Sequence, residues 1–268
     1  MSLIKTNDDI TKIKAACTIW KNVRSAILSF VKPGITTKEL DEFAANEIKS
    51  YNAIPTFYHL YDFPGNICIS VNNQLIHGVP NNYVIQPNDM ITCDVGVTYL
   101  DHVCDAAFTF IVNPSNDSKK QHILNATYDA LIRAIKEIKP SAYLGTIGAT
   151  IEATANEYGY EVIKDYGGHG CGNAPHEDPI VLDYGTPNTG MQLQPNMVLC
   201  IEPMLMDGTD KYKVNPTNNW TVTAKNKKLT CHYEHMVLVT NTGCEVLTFC
   251  EDEKQQFAEI LAKNNFLQ

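Results

Sequence analysis

The chain has 268 residues with a formal net charge of −9 at pH 7. That is long for one domain, yet large α/β and α+β folds run to roughly 250 residues as a single unit. The acidic balance excludes a nucleic-acid backbone or an anionic membrane as the main partner and leaves small molecules or peptides.

No window approaches the ~18 consecutive apolar residues of a membrane span, and the start, Met1-Ser2-Leu3-Ile4-Lys5-Thr6, carries no apolar signal run. Nine cysteines without a Cys-x-x-Cys pair read as reduced thiols rather than a disulfide frame or structural zinc. A cytoplasmic protein is expected.

The first helix is predicted from caps at Thr6-Asn7-Asp8 through Ile10, Ile13, Cys17, Trp20, Val23, Ile27 and Phe30, ending at Lys32-Pro33-Gly34. Thr36 and Glu39 then offer a capping box ahead of Leu40, Phe43, Ala44 and Ile48. Residues 54–81 read as aromatic-rich loop and strand. The runs Ile91 to Val97 and His102 to Phe110 alternate apolar and polar residues around Thr98-Tyr99-Leu100-Asp101, which predicts a hairpin. Centred between Tyr99 and Leu100, that hairpin sets Asp94 directly opposite Asp105. Like charges so placed destabilise a strand pair unless a cation lies between them.

A second helical stripe runs through Leu124, Tyr128, Leu131, Ile135 and Ile138 to Lys139-Pro140. Another follows through Leu144, Ile147, Ile151, Ala155 and Tyr158. The order helix, Lys-Pro, helix, strands thus occurs twice. It predicts one domain of two pseudo-symmetric halves, about 8–112 and 119–250, although such helix pairs also occur without duplication. Strand-like runs fill Val198 to Thr248, and a terminal helix is expected from Glu251 to Leu267.

Chemistry concentrates in a few places. Tyr166 to Pro179 sets His169 and His176 among glycines, which let backbone approach a ligand closely. Glu202 ends an apolar run, and Glu234 is expected inside the alternating strand Cys231 to Thr240. A carboxylate in an apolar strand needs a cationic partner. The only arginines, Arg24 and Arg133, lie on predicted helices elsewhere. Asp94, Asp105, His169, Glu202 and Glu234 together make four carboxylates and one imidazole, a donor set suited to manganese, iron, cobalt or zinc. Four negative charges balance two divalent ions, which roughly 3.5–4 Å apart activate water for attack on a peptide carbonyl.

These residues resemble the methionine aminopeptidases of the short type 1 form along nearly the whole chain. The likeness rests on Val71-Asn72 leading to His77-Gly78-Val79-Pro80, Asp94 with Asp105, Gly168-His169-Gly170 with His176, Ile201-Glu202-Pro203-Met204, and Trp220 before Tyr233-Glu234-His235. The resemblance implies the duplicated pita-bread α+β fold: a central curved antiparallel sheet, helices on its outer face and a dimetal site at its centre. It implies removal of N-terminal methionine from nascent polypeptides, with a metal-bridging hydroxide as nucleophile. Asp94 would bind one metal ion, His169 the other, and Asp105 and Glu234 both, with Glu202 as ligand and base.

By the same resemblance His176 would donate to the oxyanion, and His77 would contact the scissile peptide. Cys68, Phe63 and Trp220 would line the methionine pocket. His59, His102, His122, His232 and His235 are left as structural residues. The partners implied are nascent-chain N-termini, with ribosome association allowed but not required. No direct nucleic-acid or membrane partner is implied, and a monomer is expected.

The chain departs from the family pattern at Phe57, Leu60 and Pro175, with Tyr61 one position from a usual tyrosine. It also departs at Asp183 and at Val103-Cys104 beside Asp105, where any difference in the ligand sphere is expected. A proline-directed peptidase of the same fold, or a non-catalytic binding module on it, are the competing readings.

Overall fold

The computed structural model describes residues 3–115 and 117–266. Helix α1, Asn7–Phe30, starts where the Thr6 hydroxyl accepts from the Asp9 N–H and the Asp9 carboxylate accepts from the Thr6 N–H. Helix α2, Thr37–Ser50, uses the predicted pair Thr36 and Glu39 in the same reciprocal way. The apolar stripe of α1 is buried from Ile13 to Ile27. At its centre the Trp20 indole N–H donates to the Val95 carbonyl at 2.9 Å, and the ring meets Phe108 edge-on at 6.0 Å.

That contact anchors α1 to the central strands. In order these are β1 (Ile54–Pro55), β2 (Cys68–Val71), β3 (Gln74–Ile76), β4 (Met90–Tyr99) and β5 (His102–Ile111). Strand β4 pairs antiparallel with β1, β2 and β5. The β4–β5 turn lies one residue later than predicted. Tyr99 pairs with His102, and Leu100 and Asp101 form a two-residue turn with φ of 51° and 61°. Positive φ at both positions matches the right-handed strand twist, the reason such turns are favoured. Leucine is strained there, and His102 holds the turn: its ring nitrogens lie 2.8 Å from the Leu100 carbonyl and 2.9 Å from the Asp9 carboxylate of α1.

The register corrects the predicted facing pair. Asp94 lies opposite Ala107, and Asp105 opposite Gly96. The two aspartates therefore share one face as diagonal neighbours, close enough to share a cation without direct opposition.

Helices α3 (Ser118–Lys136) and α4 (Leu144–Glu157) pack against each other. The strands that follow are β6 (Tyr160–Val162), β7 (Gly167–Gly170), β8 (Glu177–Leu182), β9 (Val198–Ile201) and β10 (Met204–Asp207). Then come β11 (Tyr212–Val214), β12 (Val222–Ala224), β13 (Thr230–His232), β14 (His235–Val239) and β15 (Cys244–Val246).

Among the described residues every strand pairing is antiparallel, and the strands fall into separate hydrogen-bonded ladders. One runs β15-β14-β9-β7-β8, a second β13-β10-β6, and a third β11-β12-β3.

The expected terminal helix is instead two short pieces, α5 (Glu253–Gln256) and α6 (Ala258–Lys263), and Leu267 lies outside the described residues. Phe257 breaks it: φ is −120° and ψ 28°, and its ring stacks on Tyr128 at 3.6 Å. Buried Glu253 accepts from the Tyr128 hydroxyl and faces His235, so packing overrides helix propensity here.

Trp20→Ala is expected to cost about 3–5 kcal/mol in chemical denaturation, because it empties a large core site and removes the indole hydrogen bond to the Val95 carbonyl. A loss below about 1 kcal/mol would show that α1 does not anchor β4 through this ring.

Candidate metal centre

Asp94 lies in the middle of β4 and Asp105 near the start of β5. Gly96, the cross-strand partner of Asp105, has no room for a side chain: a Cβ there would lie 2.8 Å from the Phe57 ring. Glycine thus lets Phe57 close over the sheet beside the aspartates. On β7, a Cβ at Gly168 would lie 2.1 Å from the Cys200 carbonyl, so glycine lets β7 sit tightly on β9 and presents His169 to the same space. The His169 Nδ1–H donates to the Gly170 carbonyl at 3.0 Å, which leaves Nε2 aimed inward with a free lone pair.

Glu202 and Glu234 sit at matched breaks. Strands β9 and β14 pair through Ile201 and His235, and β10 and β13 through Met204 and His232. Between these pairs the chain leaves the ladder at Glu202-Pro203 and at Tyr233-Glu234, so Glu234 lies between strands rather than inside one. Pro203 has no N–H with which to continue the pairing. The Glu234 N–H instead donates to the Ala107 carbonyl at 2.8 Å, opposite Asp94, and pins that carboxylate against the hairpin.

The five predicted ligands meet. Donor atoms of Asp94, Asp105 and Glu234 lie within 4.8 Å of one another, as do those of Asp105, His169 and His176. His169 Nε2 lies 3.5 Å from Glu202 Oε1. Asp94 Oδ1, Asp105 Oδ1 and Glu234 Oε1 are buried without a hydrogen-bond partner, a costly state that a cation relieves.

Without one, burial pushes Asp94 up from 3.8 to about 7. Burial and neighbouring carboxylates push Asp105 and Glu234 well above their usual range. Burial acts the same way on Glu202, but the His232 and His169 imidazoles outweigh it and hold its carboxyl below the usual range. Orphaned oxygens beside an inward imidazole fit divalent ions that accept oxygen and nitrogen donors.

The site opens into a cavity of about 470 Å³. Phe57, Phe63 and Cys68 form its apolar wall with Leu60 and Trp220 packed against them, and Phe63 meets Trp220 edge-on at 5.3 Å. Among the predicted departures, Phe57 and Leu60 shape this wall, and exposed Tyr61 stacks over His176 at 5.9 Å. Pro175 is not part of the lining. Asp183, fully buried, accepts the Met204 N–H at 2.9 Å and so supports β10 instead of shaping the cavity.

Of the Val103-Cys104 difference, Cys104 turns away from the ligands, while alternation keeps Val103 on the Asp105 face of β5. The Val103 N–H donates to the Gly172 carbonyl, and buried Cys104 contacts Cys17 of α1.

His77 and His176 line the cavity, and each is pushed down to about 4, His77 by burial and His176 by burial and then His169. Both are neutral donors near pH 7. The His176 and His169 rings lie 4.6 Å apart. Glu177 braces the His176 loop by accepting from the Asn173 and Ala174 N–H groups while paired with Lys5.

His102, His122 and His235 have structural partners as expected, and exposed His59 packs on Tyr58. His232 does not follow them. It is 1% exposed, neither ring nitrogen has a hydrogen-bond partner, and Nε2 lies 3.5 Å from Glu202 Oε2. Donor atoms of His232, Glu202 and Glu234 lie within 4.8 Å of one another, and the closeness of His232 to Glu234 in sequence was the signal that could have found it.

The chain matches Metallopeptidase family M24 over residues 11–241. It is 39% identical over 251 residues to the methionine aminopeptidase of Mycoplasma capricolum, covering 94% of this chain and all of that protein. The solved methionine aminopeptidase of Rickettsia prowazekii superposes with a TM-score of 0.90 at 34% identity, over 92% of this chain and 99% of that one. A prolidase from Pyrococcus furiosus shares the fold at a TM-score of 0.75 and 24% identity, over 93% of this chain and 66% of its own. The architecture is the pita-bread α+β fold. With its carboxylate cage, inward histidine and full-length likeness to such enzymes, the chain belongs to Metallopeptidase family M24, among its methionine aminopeptidases.

Proposed function

We propose that the chain removes N-terminal methionine from nascent polypeptides in the cytoplasm, as a monomer. It acts as one catalytic domain of two related halves, residues 8–112 and 119–250. The observation that carries this reading is the buried cage of orphaned carboxylates opening directly onto an apolar, thiol-containing pocket.

Asp94, Asp105, His169, Glu202 and Glu234 are the residues that would hold two divalent ions. When bound, those ions supply activated water near neutral pH and polarise the scissile carbonyl.

The chain's own groups do the rest. Phe57, Leu60, Phe63, Cys68 and Trp220 enclose an unbranched apolar side chain, and the polarizable thioether of methionine packs well against rings and sulfur. Burial holds the Cys68 thiol neutral, so it packs as an apolar group. Glu202 stays ionised beside two imidazoles, takes a proton from the attacking water and returns it to the leaving amine. Neutral His176 donates to the carbonyl oxygen as negative charge grows there, and His77 donates to the backbone of the scissile peptide.

With manganese or cobalt supplied, the purified chain is expected to cleave Met-Ala-Ser and to leave Ala-Pro peptides intact. Cleavage of the second alone would make it a proline-directed peptidase. Glu202→Ala is expected to lower turnover by at least ~10²-fold with the circular dichroism spectrum unchanged. Near-normal turnover would remove Glu202 from the mechanism. His176→Ala is expected to lower kcat by roughly 10²–10³-fold while bound metal stays constant. Metal lost from that variant would instead make His176 a ligand.

Stability should depend on pH in a direction set by Asp94. Its folded pKa, about 7, is raised above 3.8, so its contribution is complete below pH 3.8 and is lost as pH rises towards 7. Bound divalent ions favour the ionised carboxylates. The rise in Tm on adding manganese should therefore be larger at about pH 8 than at about pH 5. Equal rises at both would count against these carboxylates as ligands.

A further inference from the structure

We infer that His232 is a positioning residue whose Nε2–H holds Glu202 Oε2, leaving Oε1 presented to the His169 side of the centre. The inference rests on the role proposed above for Glu202. Glu202 lies between two imidazoles, with Oε1 3.5 Å from His169 Nε2 and Oε2 3.5 Å from His232 Nε2. The His232 backbone is fixed on two sides, paired with Met204 of β10 and accepting at its carbonyl from the Thr109 hydroxyl of β5. The residue is 1% exposed and neither ring nitrogen meets a hydrogen-bond partner, while its donor atom lies within 4.8 Å of those of Glu202 and Glu234.

Proton placement separates the two histidines. His169 gives its Nδ1 proton to the Gly170 carbonyl, which enforces the tautomer of a metal ligand, with a lone pair on Nε2. His232 Nδ1 faces no such acceptor, so nothing enforces that tautomer. An ionised carboxylate only accepts hydrogen bonds, so the nitrogen turned towards Glu202 Oε2 carries the proton. A shift of about half an ångström brings this pair to ordinary hydrogen-bond length. Glu202 then has one oxygen fixed by protein and one directed inward, which limits how its carboxylate can rotate.

The test compares His232→Gln, which keeps an N–H donor but removes the imidazole, with His232→Phe, which keeps a ring but removes the donor. Manganese binding is measured by calorimetry, and kcat and KM on Met-Ala-Ser are measured alongside. His232→Phe is expected to weaken metal binding roughly 10–100-fold and to lower kcat more than KM changes, whereas His232→Gln stays within about threefold of the parent in affinity.

Equal weakening in both variants would show that the imidazole itself is required and overturn the inference in favour of a ligand. No effect in either would overturn it outright. His232→Met takes the place of the Phe variant if that protein fails to fold. Glu202→Gln is the separate control: manganese affinity unchanged in it would sink the role of Glu202 itself, whatever His232 does.

Discussion

Four carboxylates brought together inside an apolar strand core set the terms for the rest of this molecule. Asp94, Asp105 and Glu234 each keep an oxygen with no hydrogen-bond partner. Burying such groups unpaired costs several kcal/mol each unless they are neutralised. The fold does not satisfy those oxygens with arginine. The Arg24 guanidinium pairs with Asp252 and Glu253 at the far end of α1, and Arg133 with buried Asp129 and exposed Glu157. What remains are carboxylates that either keep their protons or take up bound cations, and cations let them stay ionised near neutral pH.

Bringing these carboxylates together explains the interruptions in the sheets. A carboxylate in an unbroken ladder points to a fixed side at a fixed spacing, and four of them from four strands would not converge. The breaks at Glu202-Pro203 and Tyr233-Glu234 let two strands cross from one ladder to another, and the side chains at the crossings turn inward. Close approach by glycine does the same work elsewhere, with Gly168 bringing β7 onto β9 and Gly96 making room for Phe57. Trp20 and the His102 bridge to Asp9 then fix the hairpin against α1, so the aspartates sit on the most firmly anchored strands.

Periodicity and chemistry made much of this legible. The helical stripes and the Thr36–Glu39 cap are local patterns decided by residues a few positions apart, and the five candidate ligands stand out as carboxylates and a histidine in stretches without arginine. What the residues alone misplaced depends on tertiary geometry. The hairpin was off by one because no glycine or asparagine marks the turn, and the strain at Leu100 is held by a histidine that also reaches a helix. The terminal helix broke because Phe257 finds a stacking partner in Tyr128, far away in sequence. Val103-Cys104, next to Asp105, was the suspected difference in the ligand sphere, but strand alternation turns Cys104 towards α1. His232 escaped notice because its neighbour His235 is an ordinary buried histidine with two partners, and only the structure separates them.

Burial acts on the site's carboxylates and on His77 and His176, yet its consequences diverge by chemistry. It drives the carboxylates of Asp94, Asp105 and Glu234 towards the protonated form and the imidazoles of His77 and His176 towards the neutral form. The histidines thereby become hydrogen-bond donors without charge, suited to an oxygen that gains negative charge only during reaction. Glu202 alone runs against the trend, because the His232 and His169 imidazoles outweigh its burial. Environments that push neighbouring groups apart in this way assign acid and base roles. One ionised glutamate among neighbours that resist ionisation is chemically fitted to accept a proton, and the imidazoles beside it are what set it apart.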